Sequence, residues 1–387
     1  MREKSLLPEG LYDHLPPEAE RRWAVTGALL AAFAANGFDQ VAPPLAEFEE
    51  SLAAGAGDAN NRHMFRVMDP ASRRMMAIRA DMTLQISRIA ASRLAAAPRP
   101  LRLCYAGPVL RIKGLQFRPE RQLMQAGFEV IGDDTPVADI EAVVLAAEAV
   151  AGLGIDGLSV DLSLPPLLPA ICRALAVDQP AFVAARAALD AKDGAAIGAF
   201  DGELGDCLAR LADSTGPVEA MIGGLAALRL PGEGAALIAA FIDHIRAIGK
   251  AAPDLPLTVD LGDSRGFHYY SGPAFALFAP GVRGELGRGG RYMVDFDGVA
   301  GETACGFSVY VDSLLRCLPP ARKPPLVLLP GDVGRGDIRR LHEEGWRTVL
   351  AGGAVDDAMA EARRLGCSHL YENGRVTPVG DKKDIAE

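Results

Sequence analysis

The strand-like stretches of this chain come in runs instead of alternating one by one with helices, and that order constrains the fold more than any other feature. A helix opens at Pro17 with Glu18 and Glu20 in its first turn. Trp23, Leu29, Leu30 and Phe33 give it an apolar side, and Gly37 stops it. Phe38–Leu45 reads as a strand entering the Pro43-Pro44 break. Short strands follow at Met64–Met68 and Met75–Ile78, joined by Asp69-Pro70-Ala71-Ser72. Asp81–Leu94 is helical. Leu101–Leu110 and Leu123–Ile131 are strands separated by a loop rich in Arg and Gly, and Thr135 caps a helix with Pro136 at its first position. Residues from about 165 to 250 are rich in Ala and Leu at helical spacing, a mostly helical insertion. Strands return at Leu257–Leu261, Ala274–Phe278 and Cys305–Tyr310. Pro319, Pro320, Pro324 and Pro325 mark a linker, beyond which lies a β-α-β-α pattern with a hairpin turning at Asn373-Gly374. The expectation is an α+β fold: a mainly antiparallel sheet with helices on one side over residues 1–320, then a small α/β domain over 321–387.

Composition narrows the function. Lys plus Arg number 40 against 50 Asp plus Glu, a net charge of −10, so phosphate backbones are repelled on average and nucleic acid is not expected as the main partner. The first residues lack a continuous apolar core for a secretory signal, and no stretch is long and apolar enough to span a bilayer. Cys104, Cys172, Cys207, Cys305, Cys317 and Cys367 show no C-x-x-C spacing and read as small buried thiols, which points to the cytoplasm. The histidines are isolated, no metal-ligand motif is present, and no cofactor is expected. The stretch Leu326–Asp337, LVLLPGDVGRGD, has the wrong glycine spacing for a phosphate loop and lacks a following Lys-Ser/Thr.

Polar chemistry concentrates in four places. Ile78–Thr83 sets Arg79, Asp81 and Thr83 at alternate positions where a strand passes into a helix, giving acceptors for an ammonium group. Leu110–Gln125 carries Arg111, Lys113, Arg118 and Arg121, with Gln125 and Glu129 on the following strand as candidates for a pocket floor. Asp263–Gly272, DSRGFHYYSG, gathers Arg, His and two Tyr. Gly284–Tyr292, GELGRGGRY, allows close approach of backbone.

In their order these segments resemble the class II aminoacyl-tRNA synthetases, and specifically the histidyl-tRNA synthetase branch. Gly37–Glu47 with Pro44 stands for the first class motif, RADMT for R-P-E-G-T, and Pro108–Gly132 for the second motif. RGFHYYSG stands for R-G-x-D-Y-Y-[ST], Arg288–Tyr292 for G-G-G-R-Y, and Cys305–Leu315 for the third motif. The resemblance implies an effector pocket for a histidine-like ligand built from Asp81, Thr83, Arg111, Gln125, Glu129, Arg265 and Tyr270. It also implies that the nucleotide side has been lost. Lys113 replaces the glutamate that would receive adenine, Ser313 replaces the arginine that would clamp the γ-phosphate, and His268 replaces an aspartate. Loss of one such charged contact costs on the order of 2–4 kcal/mol of transition-state stabilisation. The segment after the proline linker is also shorter than a synthetase anticodon-binding domain and carries no basic stripe.

A synthetase-like core so altered looks like the regulatory subunits of short-form ATP phosphoribosyltransferase. That resemblance implies no catalytic residue in this chain and a partnership with a separate short catalytic subunit in a hetero-octamer of four and four, built from class II-type dimers. It further implies activation of the first step of histidine biosynthesis and feedback inhibition by free histidine. A divergent histidine–tRNA ligase is the alternative, and an RNA-binding or stress-signalling paralogue a more remote one.

Overall fold

The computed structural model describes residues 6–53, 64–114, 119–263, 269–296, 299–320, 324–352 and 357–380. It divides into two compact units, Met1–Pro319 and Pro320–Glu387.

The first unit is organised by one nine-stranded sheet. Its strands are β1 (Asp39–Gln40), β5 (Leu101–Leu110), β6 (Gln122–Ile131), β7 (Ser159–Ser163), β8 (Thr215–Pro217), β9 (Leu257–Asp260), β10 (Tyr270–Phe278), β11 (Gly287–Phe296) and β12 (Val299–Tyr310). The spatial order is β1-β5-β6-β12-β11-β10-β7-β9-β8. Among the described residues of this sheet only β1–β5 and β7–β9 run parallel; the remaining pairs are antiparallel. A separate three-stranded sheet consists of β2 (Ala46–Phe48), β3 (Phe65–Met68) and β4 (Met75–Ile78), in the order β2-β4-β3.

The two faces of the large sheet bury different residues because side chains alternate along a strand. On β6, Met124, Ala126, Phe128 and Val130 point into the main apolar core. That core is closed by the helices Glu18–Ala35, Pro136–Ala151, Gly234–Ala251 and Val311–Cys317. Leu123 and Ile131 point to the other face, where a second core includes Met82, Ile86 and Ala90 of the Thr83–Ala91 segment. Helices therefore cover both faces, not one, although most lie on the first. The helices between Leu167 and Ala251 occupy the stretch expected to be helical.

Some local expectations change. Phe38–Leu45 forms only the two-residue β1, since Pro43 and Pro44 have no N–H to give to a ladder. Trp23 lies on the outer side of its helix, 67% exposed, while Arg22, Val25, Leu29 and Phe33 face inward. Thr135 does not cap its helix with its side chain; its hydroxyl bonds Asp133 Oδ1 at 2.7 Å instead. The glycine-rich Gly284–Tyr292 segment leads into β11, a ten-residue strand that glycine content had hidden.

In the second unit β13 (Leu326–Leu329) pairs in parallel with β14 (Arg347–Leu350) and β15 (His369–Glu372), and β16 (Arg375–Pro378) returns antiparallel to β15. Asn373 and Gly374 both have positive φ, 49° and 77°, the requirement of a tight two-residue hairpin turn. Among the described residues no helix is long and apolar enough to cross a membrane.

Candidate functional site

The face of the large sheet under the Thr83–Ala91 helix carries a row of polar side chains where apolar ones would be ordinary. Gln125 and Glu129 are four apart on β6 and so share this face; they are 0% and 2% exposed. Gln125 is opposite Gly107 on β5, which leaves room for the Arg79 guanidinium, and Glu129 is opposite Gly306 on β12, which leaves room for its own carboxyl. Gly127, between the two acceptor positions on β6, leaves space for the Tyr105 ring: a β-carbon there would stand 2.7 Å from the Tyr105 hydroxyl.

The hydrogen bonds form one connected set. Gln125 Nε2 donates to Asp81 Oδ2 and to Ser308 Oγ, both at 2.9 Å, and its Oε1 accepts from Met82 N at 3.0 Å. Asp81 in turn accepts from Thr83 N at 2.8 Å, which fixes the turn leading into the helix. The Tyr105 hydroxyl lies 2.8 Å from Ser308 Oγ and 3.3 Å from Thr83 Oγ1, and donates to Glu129 Oε1 at 3.1 Å. Tyr292 OH donates to Glu129 Oε2 at 3.0 Å. Burial pushes the Glu129 carboxyl up to about 8; the Tyr292 and Tyr105 hydroxyls oppose that rise and the charge of Asp81 adds to it. Two carboxyl groups thus share one end of the site.

The other end is cationic. Arg111 Nη2 hydrogen-bonds the Tyr310 hydroxyl, its guanidinium lies 5.1 Å from the centre of that ring, and its Nε reaches Ala80 O at 3.4 Å. Asp81, Arg111 and Ser308 are half-buried, so the site is reached from solvent above a fully buried floor.

Of the residues expected in the pocket, Asp81, Thr83, Gln125 and Glu129 are linked through Tyr105 and Ser308, with Arg111 joined through the turn at Ala80. Tyr270 is buried next to them on β10, its hydroxyl accepting from Tyr269 at 2.8 Å. Arg265 and His268 lie outside the described residues. Ser313 is 2% exposed within the Val311–Cys317 helix, and Lys113 is exposed in the loop after β5. Arg79 serves the scaffold, tying Pro43 O, Pro108 O and Gln85 Oε1 together at 3.0, 2.8 and 3.2 Å. Sequence reasoning passed over Tyr105, Ser308 and Tyr310. Their signal was alternation with glycine, Tyr105-x-Gly107 and Gly306-x-Ser308-x-Tyr310, on strands already recognised as strands.

The opposite face holds a second polar cluster that sequence spacing did not suggest. Arg291 Nε donates to both Asp139 oxygens at 2.8 and 2.9 Å, and its two other nitrogens reach Asp133 O and Thr135 O at 2.8 and 2.7 Å. His244, read as isolated in the sequence, lies 3.6 Å from Asp139, and burial lowers its pKa against the pull of that carboxylate.

A family model described as histidyl-tRNA synthetase matches residues 10–314. An ATP phosphoribosyltransferase regulatory subunit from Rhodospirillum centenum is 46% identical over 98% of this chain and 97% of its own length. One from Rhodospirillum rubrum is 47% identical over 97% and 98%, and one from Paramagnetospirillum magneticum 45% identical over 95% and 96%. The chain belongs to the ATP phosphoribosyltransferase regulatory subunit family. Its fold is that of class II synthetases. A Bacillus halodurans structure titled ATP phosphoribosyltransferase regulatory subunit/histidyl-tRNA synthetase superposes with a TM-score of 0.80 at 22% identity, covering 94% of this chain and 97% of its own. Histidyl-tRNA synthetase from Nostoc sp. PCC 7120 gives 0.77 at 16% identity, covering 95% and 90%. The α+β expectation and the resemblance to regulatory subunits thus agree with the relatives, and the ligase alternative is not favoured.

Proposed function

We propose that this chain has no catalytic activity of its own and acts in the cytoplasm on a separate short ATP phosphoribosyltransferase catalytic subunit, raising its activity and transmitting inhibition by free histidine. The partners form a hetero-octamer of four and four, with class II-type dimers of this chain as building blocks, and residues 321–387 act as a separate small domain. The observation that carries this reading is the 45–47% identity, over nearly the whole length, to proteins named as regulatory subunits. Two features of the chain support it. Ser313 offers a hydroxyl where the synthetase pattern has a guanidinium, and a hydroxyl cannot offset γ-phosphate charge. All six cysteines are free thiols, as a reducing compartment requires.

The effector site in this reading is the polar set of Asp81, Thr83, Arg111, Gln125, Glu129 and Tyr270, with Arg265 assigned to it from the sequence pattern. Asp81 and Glu129 receive the ammonium and imidazole nitrogens, Gln125 holds Asp81 in place, and Arg111 meets the carboxylate. Histidine acts by preferring one arrangement of the assembly over another, since a ligand shifts an equilibrium only through differential affinity.

The test is co-expression with the short catalytic subunit of the same genome, followed by sizing and transferase assays with and without histidine. Co-elution, a raised rate and histidine inhibition are expected. No co-elution and an unchanged rate would overturn the proposal, and histidine-dependent pyrophosphate–ATP exchange by the purified chain would establish the ligase instead.

A further inference from the structure

The polar site has its carboxyl groups at one end and its guanidiniums at the other. Asp81 and Glu129 crowd one end, and the charge of Asp81 works against ionisation of Glu129. At the other end Arg111 is held by the Tyr310 hydroxyl and a backbone carbonyl, and the charge of Asp81 also acts on it.

A second guanidinium stands beside it. Arg288 lies on β11 four residues before Tyr292, so both point to the site face. In the sheet Arg288 is opposite Ser308, and Ser308 is opposite Gly127, which faces Tyr105. Arg288 is therefore in register with the middle of the hydrogen-bonded set, one step along β12 from the Tyr310 ring that carries Arg111. Tyr310 is the largest influence on Arg111 and raises its pKa; burial lowers it, the charge of Asp81 raises it, and the nearby positive charge of Arg288 lowers it. Glu285 fixes the Arg288 fork through Nε at 2.8 Å and Nη2 at 2.5 Å. In the synthetase pattern G-G-G-R-Y this position is a glycine, so the added guanidinium is a property of this chain.

We infer that Arg288 is a second carboxylate-recognition residue, acting with Arg111, so that the site takes a free α-amino acid by both of its charged ends. This rests on the reading of the polar set as the effector site. A dipolar ligand spans the site with its ammonium towards Asp81 and its carboxylate between Arg111 and Arg288, whose fork the Glu285 carboxylate holds in place. An amine without the carboxylate meets only the acidic end.

Calorimetric titration of the full-length chain with histidine and with histidinol, in which a hydroxymethyl group replaces the carboxylate, tests this. The wild type is expected to bind histidine more tightly. Arg288→Gly is expected to lose about ten- to a hundredfold for histidine, the range of a charge-assisted contact, while histidinol affinity stays within about threefold. Arg288→Lys, which keeps the charge but not the fork, is expected to recover part of the loss and guards against a folding defect. Equal losses for both ligands, or undiminished discrimination in Arg288→Gly, would overturn the inference alone. A wild-type chain that binds neither ligand would overturn the effector-site reading and the inference with it.

Discussion

Gly306 faces Glu129 across the β12–β6 pair, and a β-carbon on Gly306 would stand 1.7 Å from Glu129 Oε2. The glycine is the space that the carboxylate occupies. Gly306→Ala is expected to push Glu129 off its two tyrosine partners and cost about 1–3 kcal/mol, the usual range for overpacking a core. Gly249, near the end of the Gly234–Ala251 helix, has nothing within 4 Å of such a carbon. Gly249→Ala is expected to be neutral or to stabilise by about 0.4–1 kcal/mol. Urea unfolding of the two variants against wild type checks the contrast.

Glu129 makes stability depend on pH in a stated direction. Its folded value, about 8, lies above the ordinary 4.5, so the folded chain holds a proton that the unfolded chain has released between those values. The stability associated with that proton is complete below about 4.5 and is lost as pH rises through about 8. Glu129→Gln, fixed in the neutral form, is expected to gain melting temperature over wild type from about pH 5 to pH 8 and hold a constant lead above that. A lead that does not vary with pH would show that Glu129 titrates normally.

The Asp139–Arg291 pair is buried at 8% and 11% side-chain exposure. Removing one partner leaves a charge without compensation, so Asp139→Ala is expected to cost about 3–5 kcal/mol. Exposed pairs such as Arg173–Glu233, at 67% and 76%, are worth far less, and Glu233→Ala is expected to fall within about 1 kcal/mol of wild type. Chemical denaturation of both variants measures the difference.

Histidine binding to the proposed effector site stabilises the folded chain by mass action, by about 2.7 kcal/mol at a hundredfold excess over Kd. A thermal shift that grows with histidine concentration is therefore expected for wild type. Asp81→Asn, which keeps an acceptor for Thr83 N but removes the charge, is expected to lose most of it. An undiminished shift in that variant would move the ammonium contact elsewhere.

The fold was legible where one period dominated. Leu101–Leu110 has the bounds of β5 because a mostly apolar run there lies between Pro100 and the polar Arg111-Ile112-Lys113 stretch. β11 was not legible, since glycines at 287, 289 and 290 remove the side-chain pattern by which a strand is recognised. The same division holds in the site. Asp81, Gln125 and Glu129 stand out because charged or amide groups amid apolar neighbours are conspicuous in a sequence. Tyr105 and Tyr292 do not, because a tyrosine on a strand reads as core, and here each is core by its ring and a site residue by its hydroxyl. The Asp139–Arg291 lock was out of reach for another reason: 152 residues separate its partners, and only the sheet brings them together.

Successive residues of β11 serve opposite sides of the sheet: Arg291 fastens the start of the Pro136–Ala151 helix, and Tyr292 holds Glu129. An insertion or deletion of one residue in this strand would swap the two assignments, sending a guanidinium among the tyrosines and a phenol against Asp139. Descendants of such a chain can lengthen their loops and exchange individual side chains, yet the spacing within this segment has to be inherited unchanged.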